Sequence, residues 1–385
     1  MTRVTGEWIR TAAAQAVCTA IAQAGHQVFF VGGCVRNDLL GAPISDLDLS
    51  TDARPDRIMQ VATDAGLRAV PTGIDHGTVT VIADGVGLEV TTFRKDVETD
   101  GRRAVVAFSD RLEDDAHRRD FTMNALYAMP DGVVVDPLGG LADLAARRVR
   151  FIDDPVDRIR EDYLRILRFF RFHAWYGDPS RGMDQDALAG IAANLGGLET
   201  LSRERVGVEM LKLLAAPDPA PAIATMAQIG VLGSVLPGAE ARVLPALIHL
   251  ESHAEGHRAA DPVRRLAALG GEGVAARLRL SRRDRKRYER LRDAMGNTVG
   301  AGELAYHDGA EFARDVVLLR AAQMGQPIDT TTADEIKAGA QATFPVQPAD
   351  LMPTLTGPAL GAELRRLEQL WIASGFTLTR KDLLP

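Results

Sequence analysis

Apolar residues recur at helical spacing across residues 7–24, where Trp8, Ile9, Ala12, Ala16, Ala20 and Ile21 share one side before Gly25. That spacing predicts an amphipathic helix closed by a glycine stop. Short apolar or alternating runs follow at 28–31, 45–49, 78–82, 87–93 and 105–108, with helical spacing at 55–65. These predict the strands of a small mixed sheet with helices on one side. From about residue 143 strand signals almost disappear, and Leu-, Ala- and Arg-rich segments of helical period run to about 325. Glycine and proline breaks at 177–182, 217–221 and 270–273 divide that region into successive helical modules. Residues 330–353 read as irregular and polar, ahead of a last helix over 361–372. The expected fold class is an α+β head followed by all-α modules, with boundaries at 1–142, 143–215, 216–325 and 326–385.

Composition narrows the picture. A chain of 385 residues exceeds one ordinary domain, and 46% hydrophobic with 25% charged residues excludes wholesale disorder. The two cysteines, Cys18 and Cys34, belong to no spaced Cys/His ligand set, which argues against structural zinc and for a reducing compartment. No apolar run approaches the roughly 18 residues of a membrane span, and the first residues read as a helix and not a signal. A soluble, cytoplasmic protein with no membrane partner is expected. A net charge of −7 taken alone disfavours nucleic acid, yet the distribution of charge matters more than its sum.

The densest chemistry lies at 29–48, FFVGGCVRNDLLGAPISDLD. An apolar strand runs into Gly32 and Gly33, where missing Cβ atoms let backbone N–H groups approach an anion. Asp46 and Asp48, two apart on a predicted strand, would project from one face and present two carboxylates to a divalent cation such as Mg²⁺. Either half alone is weak, since a Gly-Gly turn is usually only a turn and an Asp-x-Asp pair only a solvated strand end. Glu89 interrupts a third apolar strand, and with Leu88 and Val90 turned to the core it would face the opposite side.

Four further segments recur in order after GGCVRNDLLG and DLDLS: HRRDFTMNAL at 117–126, DPLGGLADL at 136–144, REDYLRILRFFRF at 160–172 and SRERVGVEMLKLL at 202–214. Together these resemble the class II tRNA nucleotidyltransferase and poly(A) polymerase family, within the DNA polymerase beta superfamily. The family pattern carries Arg-Asp after the glycines, whereas this chain has Arg36 followed by Asn37. The resemblance implies a nucleotidyltransferase head at 1–142 and a base-reading neck at 143–215, with an RNA-binding body at 216–325 and tail at 326–385. It implies addition of C, C and A to tRNA 3′ ends from CTP and ATP, with Mg²⁺ on Asp46 and Asp48 and Glu89 assisting. A CC-adding enzyme or a poly(A) polymerase would share every motif, while a non-enzymatic RNA-binding module fits poorly with intact Asp46 and Asp48.

Individual roles follow from the same resemblance. Gly32, Gly33 and Arg36 would receive the triphosphate, and Arg118, Arg119, Asp120 and Asn124 would contact ribose and phosphates. Asp120 also reads simply as the N-cap of a helix over 124–128. Asp162 and Arg165, three apart on an expected single helix, read either as an ion pair or as a protein template for a base. A carboxylate that only accepts suits the amino group of cytosine or adenine, and a guanidinium that only donates suits the adjacent ring nitrogen. Glu161 would orient that helix, and Arg205 and Glu209 would brace the adjoining one. Residues 94–110 look like a full-length mobile loop in which Arg102 and Arg103 could reach phosphate or base, as in family members that switch from C to A addition. An ordinary hairpin is the plain alternative. His117 and the His307-Asp308 pair are too sparse for a metal phosphohydrolase. Finally, RLRLSRRDRKRYERLR at 277–292 is strongly basic. Arg282, Arg283, Arg285 and Arg287 read as phosphate contacts for RNA, or as a solvated helix face.

Overall fold

Val28–Val31 is apolar at every position and buried throughout, as a central strand requires. The strands among the described residues are β1 (Val28–Val31), β2 (Asp48–Thr51), β3 (Arg68–Gly73), β4 (Thr78–Ala83), β5 (Val86–Thr92), β6 (Arg94–Asp100), β7 (Arg103–Phe108), β8 (Tyr127–Ala128) and β9 (Val134–Val135). Seven of them form one sheet in the order β3-β4-β5-β2-β1-β8-β9, and β6 and β7 form a separate hairpin. Within the larger sheet the β2–β5 pairing is parallel and the others are antiparallel. The computed structural model describes residues 1–100, 103–253, 258–352 and 354–384.

The helices Ala12–Gln23 and Pro55–Asp64 pack on β3 and β4 through Ala14, Val17, Ile21, Ile58 and Val61. The helix expected over 7–24 is interrupted at Thr11, whose backbone is extended and whose hydroxyl accepts from Ala14 N–H. A capping threonine therefore starts the α-helix afresh after a short 3₁₀ turn at Glu7–Arg10. Behind the sheet, Phe29, Phe93 and Tyr127 form one aromatic cluster with Leu112 and Ile152. Each such buried ring contributes roughly 2–3 kcal/mol.

Three sequence expectations in this part need correcting. No helix spans 124–128; Thr122–Asn124 makes a single 3₁₀ turn and Tyr127–Ala128 pairs with β1 instead. Strand β2 begins at Asp48, so Asp46 lies outside it. Segment 160–172 is two helices, Pro155–Glu161 and Leu164–Tyr176, because Asp162 is extended at φ −154. The segment 94–110 holds the β6–β7 ladder, which is the hairpin alternative. Gly101, Arg102 and the Arg103 side chain lie outside the described residues.

Two compact units emerge: Met1–Glu209 with Gln228–Ser234, and Met210–Ala227 with Val235–Pro385. The expected head and nearly all of the neck fall in the first, the body and tail mostly in the second. Inside the second unit, Glu251, Arg264, Arg265 and Asp315 are buried together and neutralise one another. A Cβ on Gly339 would lie 1.9 Å from the Gly302 carbonyl oxygen, so two helices meet there only as glycines. Residues 330–353, expected to be irregular, contain the helices Thr332–Gln341 and Pro348–Leu351. The last long helix is Gly357–Ala373, opening earlier than 361 because a proline is tolerated in a first turn. Leu367 and Trp371 anchor it against Val346 and Leu383.

Candidate active site

Strand β1 ends at Val31, and Gly32 (φ +72) turns the chain into the helix Gly33–Leu40. The left-handed φ is what calls for glycine at this turn, and Arg119 Nη1 lies 3.4 Å from where a Cβ would stand. Next to β1 lies β2, whose first residue Asp48 is the register partner of Glu89 on β5. Leu88 and Val90 are buried and Glu89 is exposed, which is the facing expected from alternation. Asp46 is exposed in the segment leading to β2 and accepts from Ser45 Oγ at 2.8 Å.

Charge is crowded here. Burial raises the Asp48 carboxyl above the usual carboxylate range, Glu89 and Asp46 push it the same way, and Arg119 opposes them. Three mutually repelling carboxylates are what a divalent cation would relieve. Among the described residues no three acidic, imidazole or thiol groups close into a cation cage. An Mg²⁺ that keeps waters and takes substrate phosphates needs only one or two protein carboxylates.

The arginines are held by a carboxylate that sequence reasoning missed. Buried Asp115 accepts from Arg118 Nε at 2.7 Å, Arg119 Nη2 at 3.0 Å, Tyr127 Oη at 2.8 Å and Ser50 Oγ at 3.1 Å. Its spacing of three and four residues before Arg118 and Arg119 on the helix Leu112–His117 was a readable signal. Asp120 does not cap a helix. Its carboxylate accepts from Phe121 N–H, Asn124 Nδ2 and Arg168 Nε, at 2.9, 2.8 and 2.8 Å. Burial alone would raise the Asp120 carboxyl, but Arg168 and Asn124 override it and hold it down to about 2.

Arg36 is buried beneath this layer. Its guanidinium bonds Asn37 Oδ1 and Asn124 Oδ1 and donates to Tyr176 Oη at 2.9 Å, lying 4.1 Å from the Tyr176 ring centroid. Asn37 therefore takes up the neighbouring arginine, and Asp38 turns away to accept from Gly6 N–H and Trp8 Nε1.

Asp162 and Arg165 are not partners. The helix break separates them, and Asp162 accepts from Leu164 N–H at 3.1 Å and pairs with Arg205 at 2.6 Å. Arg165 pairs with Glu161 and donates to the carbonyls of Arg158 and Arg118. Glu161, which also pairs with Arg158, thus clamps two arginines. Arg205 and Glu209 brace the helix Arg203–Leu214 against its neighbour as expected, Arg205 through Asp162 and Glu209 through Arg171, each at 2.6 Å.

In the second unit a cavity of about 1430 Å³ is walled on one side by Arg283, Lys286, Arg287 and Arg290, with Phe312 and Ile336 among its apolar residues. Those four cations sit at i, i+3, i+4 and i+7 of the helix Arg282–Met295, hence on one face. Arg282 and Arg285 do not line it. Arg285 pairs with Glu289 on the surface, whereas Arg287 bonds both Asp261 and Asp315 and belongs to the internal charge network. Arg283 and Lys286 have no side-chain hydrogen bond or ion pair among the described residues.

The comparisons with known proteins follow the same path. Residues 28–150 match the poly A polymerase head domain, and 182–242 match a probable RNA and SrmB-binding site of polymerase A. A CCA-adding enzyme of Limosilactobacillus fermentum is 42% identical over 203 residues, covering 52% of this chain and 49% of the relative. The chain thus spans about half the length of that relative. Among solved structures, a Bacillus stearothermophilus CCA-adding enzyme in complex with CTP superposes with TM-score 0.70 and 27% identity over 94% of this chain and 92% of that one. A Thermotoga maritima CCA-adding enzyme complexed with tRNA shares the fold at 18% identity and TM-score 0.71, with 96% and 92% covered. The mitochondrial CCA tRNA nucleotidyltransferase 1 of Mus musculus is 31% identical across 94% of this chain and 87% of its own length, and over that near-complete span this chain belongs to the class II CCA-adding nucleotidyltransferase family.

Proposed function

We propose that the protein adds C, C and A to the 3′ end of tRNA from CTP and ATP, releasing pyrophosphate and using no nucleic-acid template. The observation that carries this reading is the register of Asp48 with Glu89 beside the Gly32 turn, under Arg119. Asp46 and Asp48 would hold Mg²⁺, which supplies Lewis-acid activation of the attacking 3′-hydroxyl and neutralises charge on the leaving oxygens. Around it the chain's own groups bind and aim. The Gly32–Gly33 backbone, Arg36 and Arg119 receive the triphosphate, Asp115 holds the Arg118 and Arg119 forks, and Asp120 with Asn124 faces the ribose.

Base choice rests on Asp162 and Arg165, each of which arrives by a different route. Asp162 offers a carboxylate steered by Arg205, and Arg165 offers a guanidinium held by Glu161. An acceptor and a donor so fixed favour the amino group and ring nitrogen of cytosine and adenine over the reversed pattern of uracil and guanine. In the proposed division of labour, 1–142 performs transfer, 143–215 reads the base, and 216–325 and 326–385 hold RNA. Arg283 and Lys286 support the RNA role best, with Arg282 and Arg285 on the outer faces. The place of work is the cytoplasm; among the described residues no helix is long and apolar enough to cross a membrane.

The test is direct. Purified protein is incubated with tRNA lacking its end, with CTP and ATP separately and together, and the products are sequenced. Completion of CCA supports the proposal. Products ending in CC identify a CC-adding enzyme, runs of A identify a poly(A) polymerase, and an unextended tRNA overturns transferase function altogether.

A further inference from the structure

Asn37 stands at a junction whose two contacts an amide satisfies together. Its Oδ1 accepts from Arg36 Nε at 3.1 Å and Arg36 Nη2 at 2.9 Å, while its Nδ2 donates to the Pro43 carbonyl at 2.6 Å. The orientation of the amide is unambiguous, because a guanidinium can only donate and a backbone carbonyl can only accept. A carboxylate at this position would keep the first contact and lose the second, setting two oxygens against each other at Pro43.

The environment of Arg36 makes the choice consequential. The residue is 6% exposed, and its hydrogen-bond partners are Asn37, Asn124 and Tyr176, all neutral. Phe172 and Tyr176 add ring faces at 5.2 and 4.1 Å. Among the described residues no carboxylate lies within ion-pairing distance of Arg36. Asp120 reaches Arg36 through Asn124, so the buried cation has no counter-charge in direct contact, which is costly unless something else supplies one. Arg36 Nη2 lies 3.8 Å from where a Cβ of Gly33 would stand, so the guanidinium borders the glycine turn.

The other half of the junction reaches the acidic loop. Residues 42–47 carry no regular structure and lead from the helix Gly33–Leu40 to Asp46 and then Asp48. The Asn37–Pro43 bond fastens this segment by a side chain near its start, and Asp46 itself bonds only Ser45 Oγ among the described residues.

We propose that Asn37 is a positioning residue of the nucleotide site, which leaves the Arg36 charge uncompensated for the triphosphate and pins the 42–47 loop so that Asp46 stays in reach of its cation. The proposal rests on the transferase reading above. It assigns a task to Asn37 where the family pattern has aspartate: aspartate would neutralise Arg36 and release Pro43 at once.

The experiment compares Asn37→Asp and Asn37→Ala with the unaltered full-length protein. Three quantities are read: CTP affinity by calorimetry with Mg²⁺ and no RNA, the Mg²⁺ concentration giving half-maximal CMP incorporation, and the thermal midpoint. For Asn37→Asp the expectation is CTP affinity about tenfold weaker and a several-fold higher Mg²⁺ requirement, with a thermal midpoint equal or higher because Arg36 gains an ion pair. Asn37→Ala should share the raised Mg²⁺ requirement, lose less CTP affinity because the Arg36 charge remains free, and melt lower. CTP affinity and Mg²⁺ dependence within twofold of the unaltered protein in Asn37→Asp would overturn the proposal. So would losses in both variants that track a lowered thermal midpoint equally, since that pattern marks a merely structural role. If the unaltered protein neither binds CTP nor extends tRNA, it is the transferase reading that fails.

Discussion

Asp48 on β2 and Glu89 on β5 are register partners across the parallel β2–β5 pairing of the head sheet. Two carboxylates remote in sequence are thereby placed side by side, and the half-buried Asp48 carboxyl is held above the usual carboxylate range by burial and by Glu89. This arrangement costs stability, a recurrent feature of functional sites, at the edge proposed to hold the cation.

Replacing Asp48 with asparagine should therefore separate activity from stability. Incorporation should fall by about a thousandfold or more, equivalent to about 4 kcal/mol of transition-state stabilisation. The sign for stability is opposite. Because the folded carboxyl is raised, its favourable contribution is complete below the unfolded value and is lost as pH rises through the folded one. Without divalent ions, the unaltered protein should thus lose stability as pH climbs past the carboxylate range, and Asp48→Asn should melt higher at neutral pH. Thermal midpoints across pH in chelator test this; a lower midpoint for the variant would refute the repulsion.

Asp120 behaves in the reverse sense. Burial opposes its charge, yet Arg168 and Asn124 hold the carboxyl down to about 2. Its contribution is present above the ordinary carboxylate value and is lost as pH falls toward 2. Asp120→Ala leaves Arg168 with Glu209 at 3.8 Å as its remaining ion partner and should cost roughly 3 kcal/mol at neutral pH. Urea unfolding at pH 7 and near pH 3 should show that gap narrowing in acid.

Much of this site was legible beforehand, and the misses have a common cause. Alternation at 87–93 and the apolar run at 28–31 fixed both strands and the outward facing of Glu89, because half-buried strands leave a period-two trace. Asp46 and Asp162 were misplaced because each sits where regular structure stops, and a single residue in extended conformation leaves no periodic mark. Partner choice was least readable. Glu161, Arg165, Asp162, Arg205, Glu209 and Arg171 offer many plausible pairings along one sequence, and which carboxylate meets which guanidinium is decided by how helices cross in space.

The helix break yields its own prediction about fidelity. Asp162 is the acceptor proposed to face the base amino group, and Arg205 fixes where it points. Asp162→Ala should let UTP and GTP be incorporated with discrimination reduced by roughly 10- to 100-fold, the range expected for one hydrogen bond to a charged group. Arg205→Gln should loosen discrimination in the same direction but less, with tRNA affinity retained. Competition assays with mixed nucleotides measure both, and unchanged rejection of UTP and GTP in Asp162→Ala would remove Asp162 from base recognition.

On the helix Arg282–Met295, neighbouring arginines should answer differently to the same substitution. Arg283 and Lys286 line the cavity with no side-chain ion partner among the described residues, so they are available to phosphates. Their joint change to Gln should weaken tRNA binding and lower its salt slope by about one unit per lost phosphate contact, leaving thermal stability and nucleotide choice alone. Arg287 holds Asp261 at 2.6 Å and Asp315 at 2.7 Å within an otherwise balanced buried network. Arg287→Gln should therefore destabilise the second unit by roughly 2 kcal/mol, less than a fully buried pair would lose because the side chain is about one-third exposed. Its salt slope for tRNA should stay near that of the unaltered protein. Arg285, paired with Glu289 at the surface, should give small changes in both measurements. Filter binding over a range of salt, beside denaturant melts of each variant, separates these outcomes. A salt slope unchanged by the Arg283 and Lys286 substitutions would reduce that wall to a solvated helix face.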